Sequence, residues 1–230
     1  MGLMMANASD SGSYAGTEAA RSMMVDSQVR PNKVTDPRII AAMRAVPREA
    51  FLPASLASRA YADDDTRLGQ GRVMVSPMVT ARLLQAAGLR RGERVLLVAA
   101  GTGYTAALLS ACDMDVTALE QDEALLAIAG PALAAWAPSV KLVRGPLLAG
   151  WAEAAPYDLV MIEGAVAELP PAIAAQVNPL GRLVMVRCAQ GEVGRAVIGR
   201  KAGAAMSFAA EFDCAVQPLP AMAKAPAFVF

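Results

Sequence analysis

Hydrophobic and polar positions alternate along this chain with periods that change element by element. Ile39, Ile40, Met43 and Val46 recur at helical spacing behind Thr35-Asp36-Pro37, which supplies an N-cap and a proline at the first helical position. A preceding helix is expected over about 19–30, broken by Pro31, and another begins at Pro77 with Val79, Leu83, Leu84 and Ala87 on one face and Gly88 closing it. Between them, residues 48–71 read mostly as loop. Beyond residue 89 short branched apolar runs alternate with helical stretches. Strands are expected near Arg94 to Ala99, Asp115 to Glu120, Val140 to Arg144, Tyr157 to Glu163 and Gly181 to Cys188. Runs of that kind are strands buried on both faces, so the fold class is α/β, a doubly wound and mostly parallel sheet. After Gly191 no helical period separates Val193–Arg200 from Glu211–Val216, which predicts an antiparallel hairpin at the sheet edge.

Composition changes this picture in four places. At 230 residues and 55% hydrophobic, one well-filled core suffices, so residues 19–230 are expected to form a single domain, with 19–88 as a helical cover and 89–230 as the sheet. Residues 1–18 are expected to fray, and they lack the basic start and apolar core of a secretory signal. Twenty-one basic and twenty-one acidic residues cancel, leaving no electrostatic footprint for nucleic acid or an anionic membrane. No apolar run reaches the roughly 20 residues a bilayer requires, and the three separated cysteines suit reduced thiols, so a soluble cytoplasmic protein is expected. Oligomeric state is not legible.

The total absence of histidine removes Ser-His-Asp triads, Cys-His pairs and the usual zinc sites. What remains is the turn after the first long strand. Gly101 and Gly103 lack side chains, so backbone N–H groups and a helix N-terminus can approach a polar ligand, and Tyr104 to Cys112 supplies that helix. Glu120 ends the next strand, at the carboxyl edge where ligands of open sheets lie, and a carboxylate there suits a ribose diol. The bland alternatives are a plain tight turn and a solvated strand end. Gly101-Thr-Gly-Tyr-Thr-Ala106 also meets the dinucleotide fingerprint, yet no Tyr-x-x-x-Lys pair exists for hydride chemistry. Asp63 to Asp65 read as solvated loop rather than a metal site, and the thirteen methionines as core filler.

A family resemblance rests on an ordered set of segments: Ala45-Val-Pro-Arg-Glu-Ala-Phe-Leu-Pro53, Tyr61-Ala-Asp63, Leu68-Gly-Gln-Gly71, Pro77, the glycine turn, Glu120, Ala155-Pro-Tyr-Asp158 and Gln176 through Gly181-Arg-Leu183. In order and spacing the chain resembles protein-L-isoaspartate O-methyltransferases from about Met24 to Val186. The resemblance implies an S-adenosylmethionine-dependent carboxyl methyltransferase acting on a protein or peptide carboxylate, the isoaspartyl group of damaged proteins. It implies cofactor contacts at Ala99, Gly101, Thr102, Gly103, Tyr104, Glu120, Gln121 and Gly145, substrate contacts at Arg72, Val75 and Pro77 on an acceptor side built from Arg72 to Pro77 plus the Arg48 to Pro53 region, and Ser76 as the candidate catalytic residue, with no metal. Arg72 either positions the acceptor carboxylate or is simply solvated. The chemistry suits a chain without imidazole, since a carboxylate is already ionised at neutral pH.

Four departures carry consequences. Leu97 stands where the family has an acid, Ala99 replaces the first glycine of the turn, Pro146 replaces an adenine-facing aspartate, and Val75 stands at the serine of the substrate loop. Ser76 can substitute for that serine only if the local backbone turns it toward the acceptor. The alternatives are an inactive or weakly active relative that keeps the fold as a binding module, or a methyltransferase drifted to another carboxylate. The methyltransferase reading requires an open hollow beside Gly101 and Gly103, with Glu120 facing it.

Overall fold

The computed structural model describes residues 11–189, 192–202 and 205–222. The first ten residues of the segment expected to fray lie outside them, and helix α1 (Ser11–Met24) already runs where the rest of that segment falls. It continues through a wide turn at Val25–Val29 and a tight one at Arg30–Asn32. Helix α2 (Pro37–Ala45) starts as its sequence dictates, with the Asp36 carboxylate accepting from Arg38 N–H and Pro37 in the first turn.

Residues 48–71 are more ordered than their sequence suggests. Two short 3-10 turns, Arg48–Phe51 and Ala54–Arg59, lead into a two-stranded ribbon of β1 (Thr66–Gly69) and β2 (Arg72–Met74). The ribbon closes through Gln70 and Gly71, both left-handed at φ 49° and 72°, the geometry a two-residue hairpin needs. Helix α3 (Pro77–Ala87) follows and ends at left-handed Gly88.

The main sheet has the order β5-β4-β3-β6-β7-β8-β9. Strands β3 (Arg94–Val98), β4 (Asp115–Glu120), β5 (Lys141–Arg144), β6 (Tyr157–Val166) and β7 (Val177–Arg187) are parallel, and β8 (Arg195–Ala202) with β9 (Ala205–Asp213) forms the antiparallel edge. The edge hairpin is where it was expected, but its second strand begins six residues earlier than Glu211. Six of the nine side chains of β9 are exposed, so the apolar alternation that marks a half-buried strand is weak there.

Helices α4 (Tyr104–Ala111), α5 (Glu123–Trp136) and α6 (Pro171–Ala175) make the crossovers. Alternation within β3 divides the core. Val95 and Leu97 join the cluster under α2, α3, α4 and α5, whereas Leu96 and Val98 join a second cluster with Leu147, Ile173 and Leu219 on the opposite face. Leu97, at 0% exposure, is therefore a core residue facing the helical cover. Buried Arg182 locks cover to sheet, donating to the Ala87 and Gly88 carbonyls and pairing with Glu93 at 2.7 Å.

Strand order reverses between β3 and β6, and the crevice outside the carboxyl ends of such strands is where an open α/β sheet holds its ligand. The β1–β2 ribbon and the segment Gln217–Met222 both lie over this crevice. Ala165 N–H donates to Gln217 O and Leu219 N–H to Ala165 O. Glycine is required at Gly164, whose φ is 142° and where a Cβ would stand 2.4 Å from Leu219.

Candidate active site

Three elements converge on the crevice. The turn after β3 holds Ala99, Gly101 and Gly103 at φ 61°, 58° and 95°. Ala99 keeps a left-handed backbone although it carries a Cβ, so the family's glycine geometry survives its replacement. At Gly103 a Cβ would meet Leu133 of α5 at 3.0 Å. Gly103→Ala is accordingly expected to cost about 1–2 kcal/mol in backbone strain, with Leu133 pushed aside as well, readable as a lowered urea midpoint.

Glu120, fully buried at the end of β4, is the hub of the crevice. Its Oε2 accepts from Gly101 N–H at 2.8 Å, and its Oε1 from Gln121 N–H at 2.8 Å and Asp122 N–H at 3.1 Å. The carboxylate therefore faces the glycine turn, as its strand-end position predicts, and is no solvated strand end. It is not free, however. Arg72, carried in by the β1–β2 ribbon, binds it through Nη1 at 3.0 Å and Nη2 at 2.9 Å, and Nη2 also donates to Ala99 O at 3.0 Å. Arg72 is 8% exposed, so it is no solvated surface arginine, and its guanidinium is engaged by Glu120 and the Ala99 carbonyl. A two-pronged contact between guanidinium and carboxylate is the strong form of an ion pair, and its reach across 48 residues is invisible to local sequence patterns.

The expected hollow is accordingly small. A cavity of about 130 Å³ remains beside Gln121, Asp122 and Leu147, roofed by Arg72 and Leu219–Ala221. Gln121 Oε1 accepts from Leu147 N–H at 3.3 Å, and Gly145 N–H donates to Glu120 O at 3.2 Å, so the loop after β5 is tied to β4. Pro146 takes no part in these bonds as a donor, lacking an N–H. Thr102 and Tyr104 are buried at 3% and 2% exposure.

A cleft of about 820 Å³ lies on the other side of the Gln217 segment. Asp63, Asp64, Asp65, Ser76, Met78, Val79, Arg82 and the strand edge around Cys214 line it. The structure divides the substrate loop cleanly: Val75 is buried in the core, while Ser76 stands on the cleft wall as the N-cap residue of α3, before Pro77. Ser76 N–H donates to Asp65 Oδ1 at 2.7 Å. Burial raises the Asp65 carboxyl above its usual range, aided by Asp64 and opposed by the Ser76 N–H. Among the described residues no group of acidic or cysteine side chains is arranged to hold a metal ion.

Between the glycine turn and the substrate loop lies a polar cluster that strand and helix patterns did not single out. Arg48, at 0% exposure, donates from Nη2 to Val75 O at 2.5 Å, while its Nε and Nη1 have no hydrogen-bond partner. Its guanidinium carbon stands 4.9 Å over the Tyr104 ring, whose buried hydroxyl is likewise unpartnered. Glu163 of β6 accepts from Thr105 Oγ1 at 2.9 Å through Oε1, and its Oε2 is shut from solvent without a partner. Burial raises the Glu163 carboxyl to about 7, opposed by Thr105 and by the positive charges of Arg72 and Arg48. The folded state then favours protonated Glu163 more than the unfolded chain does. Stability from this group is present below its ordinary 4.5 and lost as pH rises through about 7. Glu163→Gln should abolish that pH-dependent component, seen as urea midpoints of variant and wild type that diverge, in the variant's favour, as pH rises across the window.

Comparisons with known proteins bear on this arrangement. The family model described as protein-L-isoaspartate(D-aspartate) O-methyltransferase matches residues 19–215. The chain belongs to the protein-L-isoaspartate O-methyltransferase family. Among curated members, that of Methylorubrum extorquens strain PA1 is 43% identical over 166 residues, covering 72% of this chain and 73% of the relative. That of Rhodopseudomonas palustris strain HaA2 is 39% identical over 168 residues, covering 73% and 69%. A solved protein-L-isoaspartate O-methyltransferase superposes with a TM-score of 0.75 at 23% identity, over 86% of this chain and 65% of that one. A Plasmodium falciparum protein solved with S-adenosyl-L-homocysteine gives the same TM-score at 15% identity, over 87% and 98%. The fold of this family member is thus shared with both solved proteins. Among the described residues, no helix is long and apolar enough to cross a membrane.

Proposed function

We propose that this family member is an S-adenosylmethionine-dependent carboxyl methyltransferase acting on isoaspartyl groups of proteins and peptides. The observation that carries the reading is Glu120, whose carboxylate meets the Gly101 N–H at the switch point of the sheet. A ribose diol is what such a carboxylate beside a left-handed glycine turn suits, with Ala99, Thr102, Gly103 and Tyr104 along the turn and Gln121 and Gly145 toward the base. These residues fit the cofactor once Arg72 withdraws, because the cavity of about 130 Å³ is too small for it otherwise. Bound there, the cofactor supplies an electrophilic sulfonium methyl.

The chain's own part is orientation and exclusion of water. The acceptor carboxylate needs no base, and holding two reactants in line contributes about 7–11 kcal/mol of barrier reduction. Ser76 shapes the acceptor side from the cleft wall, with Pro77 fixing the first turn of α3 behind it, and Val75 does so through its backbone oxygen, held by Arg48. The ribbon that carries Arg72 is continuous with this loop, so its displacement would open the cofactor side and reshape the acceptor side together. A cytoplasmic location is part of the same proposal, supported by three cysteines that are all free thiols.

Tritiated methyl transfer to an isoaspartyl peptide and to its aspartyl twin is the test. Counts on the isoaspartyl peptide alone are expected. Counts on neither, at saturating cofactor, would leave Arg72 as a permanent plug and the fold as a binding module.

A further inference from the structure

Buried polar groups without partners are rare in folded proteins, and a site where several converge is built for something that satisfies them. By hydrogen-bond geometry Arg48 Nε and Nη1, the Tyr104 hydroxyl and Glu163 Oε2 are all in this condition, with Arg48 and Tyr104 close enough to act on one another. Each comes from a different layer. Arg48 opens the 3-10 turn after α2, Tyr104 opens α4 directly after Gly103, and Glu163 projects from β6. Arg48 also grips the substrate loop at Val75 O, while Thr105 ties Glu163 to the first turn of α4. The cluster therefore stands between the glycine turn and the acceptor loop, where the reacting groups must meet.

Resting on the methyltransferase reading, we propose that Arg48, Tyr104 and Glu163 form the receptor for the methyl-accepting carboxylate, with Arg48 the residue that selects a free carboxylate over its amide. The unpartnered groups are mostly donors around a guanidinium whose positive charge no hydrogen-bonded carboxylate balances, so the missing ligand is an acceptor and an anion. Glu163 limits that anion to a single charge. Beside a bound carboxylate it stays protonated and turns its O–H on the ligand, sharing one proton between two carboxyl groups. A phosphate dianion would face the same carboxyl with twice the charge and is disfavoured. The charged groups facing Glu163 are Arg72 from β2, Arg48 from the cover and Glu120 from β4, with Thr105 from α4 as its hydrogen-bond donor. Ligand binding is thereby linked to proton retention, and affinity for the carboxylate falls as pH rises through about 7.

The cluster is closed to solvent in this structure, so the carboxylate enters by the same withdrawal of the Arg72 ribbon that admits the cofactor. Fluorescence anisotropy with a dye-labelled isoaspartyl peptide, and with the same peptide amidated at that carboxyl, tests the assignment in the presence of S-adenosylhomocysteine. Wild type should prefer the free carboxylate by about 10- to 100-fold, the worth of one charge-assisted contact. Arg48→Met should lose the preference, and Arg48→Lys should restore part of it. Tyr104→Phe should weaken binding of the free carboxylate and leave the amide unchanged. Glu163→Gln, which has no proton to lose in this range, should bind with an affinity that shows no decline from about pH 6 to about pH 8. Because Arg48 also supports Val75, the Tyr104 and Glu163 variants decide the matter if Arg48→Met does not fold. A wild type indifferent to amidation, a Tyr104→Phe variant that discriminates as wild type does, or a Glu163→Gln variant with the wild-type pH dependence would overturn the proposal. Peptide binding that depends on these residues without methyl transfer would sink the methyltransferase reading and leave this one standing.

Discussion

Arg72→Gln should bind S-adenosylhomocysteine at least about tenfold more tightly than the wild type, while its unliganded form loses up to about 3–5 kcal/mol of stability. Both effects have one cause. Arg72 holds Glu120 through two hydrogen bonds of 2.9 and 3.0 Å and Ala99 O through a third, and a ribose cannot take the carboxylate until these are broken. Each charge-assisted bond is worth roughly 1.5–3 kcal/mol, so removing the competitor outweighs a tenfold change. The stability loss follows because Glu120 is completely buried and would keep only backbone N–H partners. Calorimetric titration and urea unfolding, with and without ligand, read the two sides. The ligand should return most of the stability that the variant lost. Unchanged or weaker binding by Arg72→Gln would mean that Glu120 is not the ligand's anchor.

Glu120→Gln should act in the opposite direction on affinity and in the same direction on stability. The amide keeps the shape of the side chain but strands the Arg72 charge in a site only 8% exposed, at a cost of about 3–5 kcal/mol. Affinity for the nucleoside should drop by about 10- to 100-fold, the price of one charge-assisted contact to the ribose. The double variant Arg72→Gln/Glu120→Gln separates the two roles. It should recover stability, because no buried charge is left alone, without recovering affinity. A double variant that binds as well as Arg72→Gln would show that the carboxylate makes no contact with the ligand. The two single effects on stability should be strongly non-additive, since the residues share one ion pair.

Much of this architecture was legible in the chain. The unbroken run Val95–Val98 forecast a strand buried on both faces, and its neighbours Leu96 and Leu97 do enter opposite cores. Asp36, Pro37, Pro77 and Gly88 mark helix ends where capping chemistry puts them. Glu120 was found from its place at a strand end. What local pattern could not supply was pairing at a distance. The β1–β2 ribbon is only four and three residues long, rich in glycine, and reads as loop. Its consequence, Arg72 on Glu120, joins residues 48 positions apart. Glu163 read as an ordinary strand end because its partner Thr105 lies 58 positions away. Arg48 stood inside a recognisable family segment, but nothing in the spacing says that an arginine there is fully buried with two of its nitrogens unpartnered. Ser76 was the ambiguous case: it stands on the wall of the cleft of about 820 Å³, while Val75 is turned into the core.

A crystal structure of the wild-type protein grown with S-adenosylhomocysteine shows directly whether Glu120 holds the nucleoside. The ribose hydroxyls should lie on the Glu120 carboxylate, with Arg72 and its ribbon displaced from the places they hold between Glu120 and Ala99 O. Nucleoside bound elsewhere, or refused altogether while Arg72 still grips Glu120 at millimolar ligand, would contradict that placement.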